Sequence, residues 1–181
     1  PAPLRAALEL SARRVAEYQR RLLPEAVAPA ACRAGPAGVR CGLAWSPLRR
    51  VGLYIPAGTA PLCSSVPMLA VPAQVAGVKD IAVATPCARD GRVNDGILCA
   101  CEILGLKEIY KLGGVQAIAA LAFGTRTIPA VEKIAGPGNL FVMLAKRAVF
   151  GHVDIDMLAG PSEVLIIADD SADPSFVAAD M

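Results

Sequence analysis

The chain has 181 residues, of which 55% are hydrophobic and 19% are charged, a balance that indicates a folded globular protein and excludes a disordered one. The formal net charge of +2 is too small to indicate a nucleic-acid partner or an acidic surface as partner. The sequence shows no signal-peptide pattern and no apolar run of about 18 residues, so we expect neither secretion nor membrane insertion and predict a cytoplasmic protein.

The first part of the chain predicts a helix, a loop, two strands and a second helix. Apolar residues recur at helical spacing over residues 4–23, which predicts an amphipathic helix. Residues 24–38 are rich in Pro, Ala and Gly, and this composition predicts a loop or a linker. Two apolar runs, residues 39–45 and 48–55, are predicted strands. The second helix is expected to begin at Ser64 or Ser65 and to reach about residue 76, kinked or split at Pro72.

The rest of the chain alternates between short apolar runs and helical patterns. The predicted strands are residues 81–85, 108–112, 132–135 and 163–168, with a short alternating segment at 153–156. The predicted helices are residues 93–104, with Asn94 or a neighbour as its cap, 116–123 and 140–150, and a further one that Asp173 caps. Nearly continuous apolar strands that alternate with helices predict an α/β fold with a mostly parallel sheet and helices on both faces.

Two glycine turns each join a predicted strand to a predicted helix: Gly113-Gly114 and Gly136-Pro137-Gly138-Asn139. Such a turn brings backbone N–H groups and the positive end of the helix dipole toward a ligand. Two of them about one βαβ unit apart predict a crevice at one edge of the sheet. Neither turn carries the G-x-G-x-x-G fingerprint, so the units are Rossmann-like without it, and tight reversal of the chain remains the alternative interpretation.

Three side chains lie where such a crevice would contact a ligand. Tyr54 ends a predicted strand, and open α/β sheets bind ligands at the carboxyl ends of their strands; the alternative is a buried tyrosine whose hydroxyl is satisfied. Gln116 lies in the first turn of the helix after Gly113-Gly114, where its amide either binds a cofactor hydroxyl or caps its own helix. Asn139 opens the helix after the second turn, and an ordinary N-cap is the alternative there.

The remaining polar residues give weaker signals. Ser162 lies in a tight turn, where its hydroxyl either binds a ligand or serves only the turn. Asp154 and Asp156 share a face if their segment is a strand, which leaves acid–base chemistry by paired carboxylates open beside a solvated face or loop caps. The six cysteines form no C-x-x-C pair and His152 is the single histidine, so a zinc site built wholly within this chain is not expected.

Several segments resemble, in order and spacing, the signature sequences of the histidinol dehydrogenase family. They are VGLYIPAGTAP at 51–61, GGVQAIAALA at 113–122, GTRTIP at 124–129, KIAGPGN at 133–139 and DIDMLAGPSEV at 154–164. The similarity runs from about residue 4 to residue 181, nearly the whole chain. Several blocks in the right order are far more specific than one glycine motif, so the chain is identified as similar to this family.

The resemblance implies oxidation of L-histidinol to L-histidine through the aldehyde, with NAD as the hydride acceptor in both steps. It also implies a zinc ion that positions the substrate, and a homodimer. Residue by residue, Tyr54, Gln116 and Asn139 match the NAD contacts of the family, and Ser162 matches a substrate contact. The zinc ligands and the catalytic Glu-His pair of the family are expected beyond residue 181, so we predict that this chain alone is inactive.

The resemblance also divides the chain into domains. Residues 1–50 and 163–181 would belong to a first domain, and residues 51–162 would form the Rossmann-like NAD-binding domain. One position departs from the family pattern, because Ala57 stands where the family has the first of two glycines, and an alanine there adds strain if the backbone needs a positive φ.

Two other functions are compatible with parts of the pattern. The first is a non-catalytic α/β module that serves ligand binding or oligomerisation. The second is another NAD enzyme without the glycine fingerprint, such as a relative of the aldehyde dehydrogenases. That chemistry needs an activated cysteine, for which Cys63 is the nearest candidate in this sequence.

Overall fold

The computed structural model describes residues 2–31, 38–58, 61–158 and 164–180. Its strands are β1 (Val27–Ala31), β2 (Arg40–Leu43), β3 (Arg50–Tyr54), β4 (Asp80–Thr85), β5 (Glu108–Lys111), β6 (Lys133–Ala135) and β7 (Asp154–Ile155). Its helices are α1 (Ala2–Arg21), α2 (Ser65–Val75), α3 (Asp95–Ile103), α4 (Gly114–Phe123), α5 (Leu140–Val149) and α6 (Pro174–Asp180). None of the helices in the described residues combines the length and apolar character that crossing a bilayer requires.

Five strands form one parallel sheet in the order β5-β4-β3-β6-β7. The chain starts this sheet in the middle, at β3, builds outward through β4 to β5, and then returns through α4 to the other side of β3. This is the doubly wound arrangement, in which neighbouring strands β3 and β6 continue into connections that leave in opposite directions. The predicted α/β fold with a mostly parallel sheet is confirmed.

Helices cover both faces of the sheet, and alternate strand residues supply the two cores. On one face, Tyr54, Ala82 and Ala84 pack with the buried sides of α4 and α5. On the other face, Leu53 and Val83 pack with α1, α2 and α3. Each central strand is buried on both sides, which explains its nearly continuous apolar sequence.

A separate two-stranded ribbon precedes the parallel sheet. Strands β1 and β2 pair antiparallel, and β2 is exposed along its whole length. The prediction of a loop over residues 24–38 is therefore wrong at Val27–Ala31. The register of the pair shifts between Val27 and Ala30, around Pro29, and such an irregularity accommodates a residue without an N–H group in a strand.

Two further predictions need correction. Residues 164–168, the described part of the predicted strand at 163–168, form no strand and pair with no strand of the described chain. A strand needs a neighbouring backbone to satisfy its N–H and C=O groups, so an apolar sequence alone does not produce one. The second concerns Pro72: of the two predicted effects, the split does not occur, because α2 runs without interruption from Ser65 to Val75, and the kink stays a prediction.

The predicted helix starts agree closely with the structure. Asn94 caps α3 through a side-chain hydrogen bond from the Gly96 N–H, and the Asp173 carboxylate accepts from the N–H of Ser175 in the first turn of α6. Ser64 occupies the N-cap position of α2 but makes no side-chain capping bond. Capping residues are therefore visible in the sequence, but whether a side chain turns back to its helix is decided by the local backbone.

Candidate functional site

The candidate site lies where β3 and β6 end side by side. Leu53 of β3 is in register with Ala135 of β6, so Tyr54 and Gly136 follow at the same carboxyl edge. From this point β3 continues into the loop before α2, and β6 continues into the turn before α5 on the opposite face. The divergence of the two connections opens the crevice in which doubly wound folds bind their ligands.

Tyr54 links this crevice to the first glycine turn. Its side chain is 4% exposed, and its hydroxyl accepts a hydrogen bond of 3.1 Å from the Gly114 N–H, at the start of α4. The buried tyrosine with a satisfied acceptor, one of the two sequence interpretations, is what the structure shows. The hydroxyl group can still donate its own proton to a second partner. Contact of Tyr54 with a ligand therefore stays a prediction.

Close approach of neighbouring chain segments explains the glycines of both turns. A Cβ on Gly113 would lie 2.6 Å from the Pro86 side chain, at the end of β4. A Cβ on Gly136 would lie 2.1 Å from the Tyr54 carbonyl oxygen, and Gly136 has a φ of +133°. Glycine at these positions therefore allows the carboxyl ends of β3, β4, β5 and β6 to pack side by side. This edge of the sheet, with its two glycine turns, is called the rim below.

Gln116 and Asn139 both lie on this rim but differ in what they contact. The Asn139 side chain accepts from the Val142 N–H at 3.1 Å and so caps α5, while its amide nitrogen remains a donor on an exposed residue. Gln116 is exposed in the first turn of α4, with its Oε1 3.2 Å from where a Gly114 Cβ would be. Both amides are accessible to a ligand at helix N-termini.

A partly buried ion pair supports the second turn, and the sequence alone did not predict it. Lys146 is 4% exposed, and its ammonium contacts the Asp156 carboxylate and donates to the Gly136 carbonyl at 3.0 Å. Asp156 in turn accepts from the Gly136 N–H at 2.8 Å. The available signal was the position of Lys146, four residues after Val142 on the apolar stripe of α5.

The two aspartates that the sequence placed on one face do not form a carboxylate pair. Asp154 lies in register with Lys133 and accepts from its ammonium at 2.6 Å, a hydrogen bond that holds the pKa of Asp154 below its ordinary value. Asp156 is occupied by Lys146. Each carboxylate has its own lysine, so the arrangement does not support shared-proton chemistry.

The other candidates lie outside this rim or outside the described residues. Ser162 falls among residues 159–163, which lie outside the described residues. His152 is exposed, with its ring 4.6 Å from that of Phe123. Ala57 has no positive φ, so the strain considered for an alanine at this position does not arise. Cys63 packs beside the apolar core formed with α2 and α3.

Metal and acid–base groups are sparse in the part of the chain that the structure describes. No group of three or more His, Cys, Asp or Glu side chains there could hold a metal ion. Burial raises the pKa of the Cys101 thiol to about 11, which makes it a poor nucleophile. A cleft of about 170 Å³ lies between the turn and the ion pair, lined by Gly136, Pro137, Gly138, Met143, Lys146, Asp156 and Met157.

The opposite end of the sheet carries a charge cluster of another kind. Arg50 begins β3 and donates to both carboxylate oxygens of Glu108, which begins β5, and the Tyr110 hydroxyl donates to the same carboxylate at 3.1 Å. The hydrogen bonds from Arg50 hold the pKa of Glu108 below its ordinary value. These contacts join the amino ends of two strands across β4, so we interpret them as structural.

The fold is a doubly wound α/β domain, and the rim lies at its switch point. The family profile described as histidinol dehydrogenase matches residues 1–181. The chain therefore belongs to the histidinol dehydrogenase family.

Individual relatives support the family match. The chain is 49% identical over 181 residues to a histidinol dehydrogenase of Parasynechococcus marenigrum and 53% identical over 178 residues to one of Deinococcus radiodurans, and it covers 40% of each. The crystal structure of histidinol dehydrogenase from Elizabethkingia anophelis is similar with a TM-score of 0.87 and 43% identity, over 99% of this chain and 41% of that one. The chain thus spans about two fifths of the length of these relatives.

Proposed function

We propose that this chain supplies the NAD-binding part of a histidinol dehydrogenase, an oxidoreductase that converts L-histidinol to L-histidine through the aldehyde. The observation that carries the proposal is the rim of the β3–β6 switch point, where Tyr54, Gln116 and Asn139 lie beside two glycine turns. The family match over residues 1–181 supports the reaction class.

The residues at the rim fit a dinucleotide. Helices α4 and α5 begin at the carboxyl edge of the parallel sheet. The N-terminus of a helix attracts anionic groups. NAD would supply the acceptor for the hydride that leaves the substrate. Tyr54 would donate its hydroxyl proton, while Gln116 and Asn139 would bind through their exposed amides. The tight packing at Gly113 and Gly136 would keep these groups in fixed positions.

The other parts of the family's chemistry are proposals of the same kind. Ser162 would contact L-histidinol. Zinc does not fit the described residues, because no cluster of three ligating side chains exists there. We place its ligands, and the catalytic Glu-His pair, in the part of the relatives that this chain does not cover. A homodimer is proposed from the resemblance to the family, and a cytoplasmic location from its role in histidine biosynthesis.

We also propose the domain division implied by the resemblance. Residues 51–162 would form the NAD-binding domain, and residues 1–50 and 163–181 would belong to a first domain. The β1–β2 ribbon supports this division, because it shares no strand with the parallel sheet, whereas α1 packs on a face of that sheet with α2 and α3. The exposed apolar residues Val164, Leu165 and Ile167 also lie apart from the cores of that sheet.

The experiment that tests the function compares two helix caps in a full-length polypeptide that carries this sequence. Asn94→Ala and Asn139→Ala each remove a side-chain N-cap, so both are expected to lower the free energy of unfolding by about 1 kcal/mol. Only Asn139→Ala is expected to raise the NAD+ dissociation constant in isothermal titration calorimetry, by about tenfold. Histidinol-dependent NADH formation is expected from the full-length polypeptide and not from the 181-residue chain.

Two results would overturn the proposal. The first is a full-length polypeptide that neither binds NAD+ nor forms NADH with L-histidinol. The second is equal NAD+ affinity of the Asn94→Ala and Asn139→Ala variants, which would remove the switch-point rim as the binding site. NADH formation by the purified 181-residue chain would refute the predicted loss of activity.

A further inference from the structure

The contacts of Lys146 and Asp156 converge on a single residue's backbone. Lys146 donates to the carbonyl of Gly136 at 3.0 Å, and Asp156 accepts from the N–H of the same residue at 2.8 Å. Gly136 is the first residue after β6, where the chain has left the ladder of sheet hydrogen bonds. The ion pair therefore replaces the strand partners that Gly136 no longer has, and satisfies both of its backbone groups.

The pair also ties together three elements that surround the crevice. Lys146 comes from the second turn of α5, Asp156 follows β7, and Gly136 follows β6. The Asp156 carboxylate accepts in addition from the Met157 N–H at 2.8 Å. Lys146 is 4% exposed, so water has little access to its ammonium, and the Asp156 side chain, at 27% exposure, is partly shielded.

We propose that Lys146 and Asp156 are positioning residues for NAD binding, a role that rests on the function proposed above. They hold the Gly136 backbone and thereby fix the turn that leads to Asn139 and the N-terminus of α5. Neither side chain needs to touch the cofactor for this. Displacing a binding turn by a fraction of an ångström weakens every contact that the turn makes.

The chain provides a matched control in a second lysine–aspartate pair. Lys133 of β6 and Asp154 of β7 form this pair, which is more exposed than Lys146 and Asp156 and whose hydrogen bond joins the two side chains to each other. We compare Lys146→Met and Asp156→Asn with Lys133→Met and Asp154→Asn in a full-length polypeptide that carries this sequence. Calorimetry measures the NAD+ dissociation constant, steady-state kinetics gives both KM values, and urea unfolding checks the fold.

We expect Asp156→Asn and Lys146→Met each to raise the NAD+ dissociation constant and the KM for NAD+ by about tenfold, with the KM for L-histidinol changed less than about twofold. The double variant is expected to be no weaker than the worse single variant, because the two residues act on one turn. Lys146→Arg, which keeps the charge and the donors, is expected to recover most of the affinity. The Lys133 and Asp154 variants are expected to bind NAD+ like the wild type.

Several outcomes would overturn the inference. Wild-type affinity in a folded Asp156→Asn variant would do so, as would an equal rise in the KM of both substrates, which indicates general structural damage. If Asp156→Asn does not fold, Lys146→Gln and Lys146→Arg decide the matter, and equal NAD+ affinity of these two variants contradicts the role. A wild-type polypeptide that binds no NAD+ overturns the proposed function, and this inference with it.

Discussion

At the scale of single residues, Gly136 bears the strictest steric requirement of the rim. Its φ is +133°, and a Cβ added to it would lie 2.1 Å from the Tyr54 carbonyl oxygen, so a side chain is excluded for two separate reasons. We expect Gly136→Ala to lower the free energy of unfolding by about 3 kcal/mol or more, from backbone strain plus steric overlap. Urea denaturation of the wild type and the variant measures the loss.

A substitution at Gly91 measures the cost of backbone strain without the steric overlap. Gly91 also has a positive φ, +78°, but a Cβ there meets nothing within 4 Å. Gly91→Ala is therefore expected to cost only the strain, about 1 kcal/mol. Equal losses at both positions would show that the overlap with Tyr54 is relieved by a small shift of the turn.

Glu108 gives the chain a predictable sensitivity to acid. The hydrogen bonds from Arg50 lower the pKa of Glu108 in the folded state below its ordinary value of 4.5. Stabilisation by a carboxyl with a depressed folded pKa is present above the unfolded pKa and disappears as the pH falls through the folded value. We expect the difference in unfolding free energy between wild type and Glu108→Gln to be constant at neutral pH and to shrink below about pH 4.5.

Chemical denaturation at a series of pH values between neutral and acid measures this difference. A difference that stays constant through the acid range would mean that the Glu108 carboxylate contributes nothing through its charge. Loss of the difference near neutral pH would contradict the direction of the pKa shift.

For the site residues, the local sequence predicted the position of each residue in the fold but not the hydrogen bonds that its side chain makes. The positions of Tyr54, Gln116 and Asn139 after strands and glycine turns placed them on the carboxyl rim, where the structure has them. The bond between the Tyr54 hydroxyl and Gly114 joins residues 60 apart, and no local pattern encodes such a contact. The pairing of Lys146 with Asp156 depends in the same way on how α5 lies over β7.

At the scale of elements, the N-caps offer a direct test of local encoding. Asn94 accepts from the Gly96 N–H at 2.9 Å at the start of α3, whereas Ser64 makes no capping bond at the start of α2. We expect Asn94→Ala to lower the free energy of unfolding by about 1 kcal/mol and Ser64→Ala by less than about 0.5 kcal/mol. Thermal or urea unfolding of the two variants gives the comparison, and a larger loss for Ser64→Ala would refute it.

Helices were predicted correctly, because a helix's backbone hydrogen bonds lie within the segment. Prediction failed where those bonds need a strand that is distant in the sequence. Helices α3 and α5 carry their capping asparagines and apolar stripes in consecutive residues. Strand β1 exists because β2 pairs with it, although Pro29 makes its sequence typical of a loop. Residues 164–168 have a strand-like sequence but no paired strand among the described residues.

At the scale of the whole molecule, the apolar segment at 164–168 indicates a surface that the proposed first domain would cover. Leu165 is 87% exposed and Ile167 is 91% exposed. In the 181-residue chain, we expect the double variant Leu165→Ser/Ile167→Ser to change the free energy of unfolding by less than about 0.5 kcal/mol, because both side chains are exposed to solvent. In a full-length polypeptide that carries this sequence, the same variant is expected to cost about 2 kcal/mol or more.

Denaturant unfolding of both polypeptides provides the measurement. Equally small effects in the two contexts would show that residues 163–181 do not return to a packed first domain. Any large loss in the 181-residue chain would mean that the two side chains are already buried there.

The sequence by itself determined the α/β class, most element boundaries and the family, because alternation of apolar strands with capped helices and the ordered glycine-rich blocks are local features. Only the tertiary structure decided the strand order β5-β4-β3-β6-β7, and with it the place where β3 and β6 diverge into a crevice. It alone placed Lys146 and Asp156 around the Gly136 backbone. The physical reason is that a charged group or a backbone group removed from water needs a hydrogen-bonding or ionic partner. The fold supplies these partners from residues that are distant in the sequence.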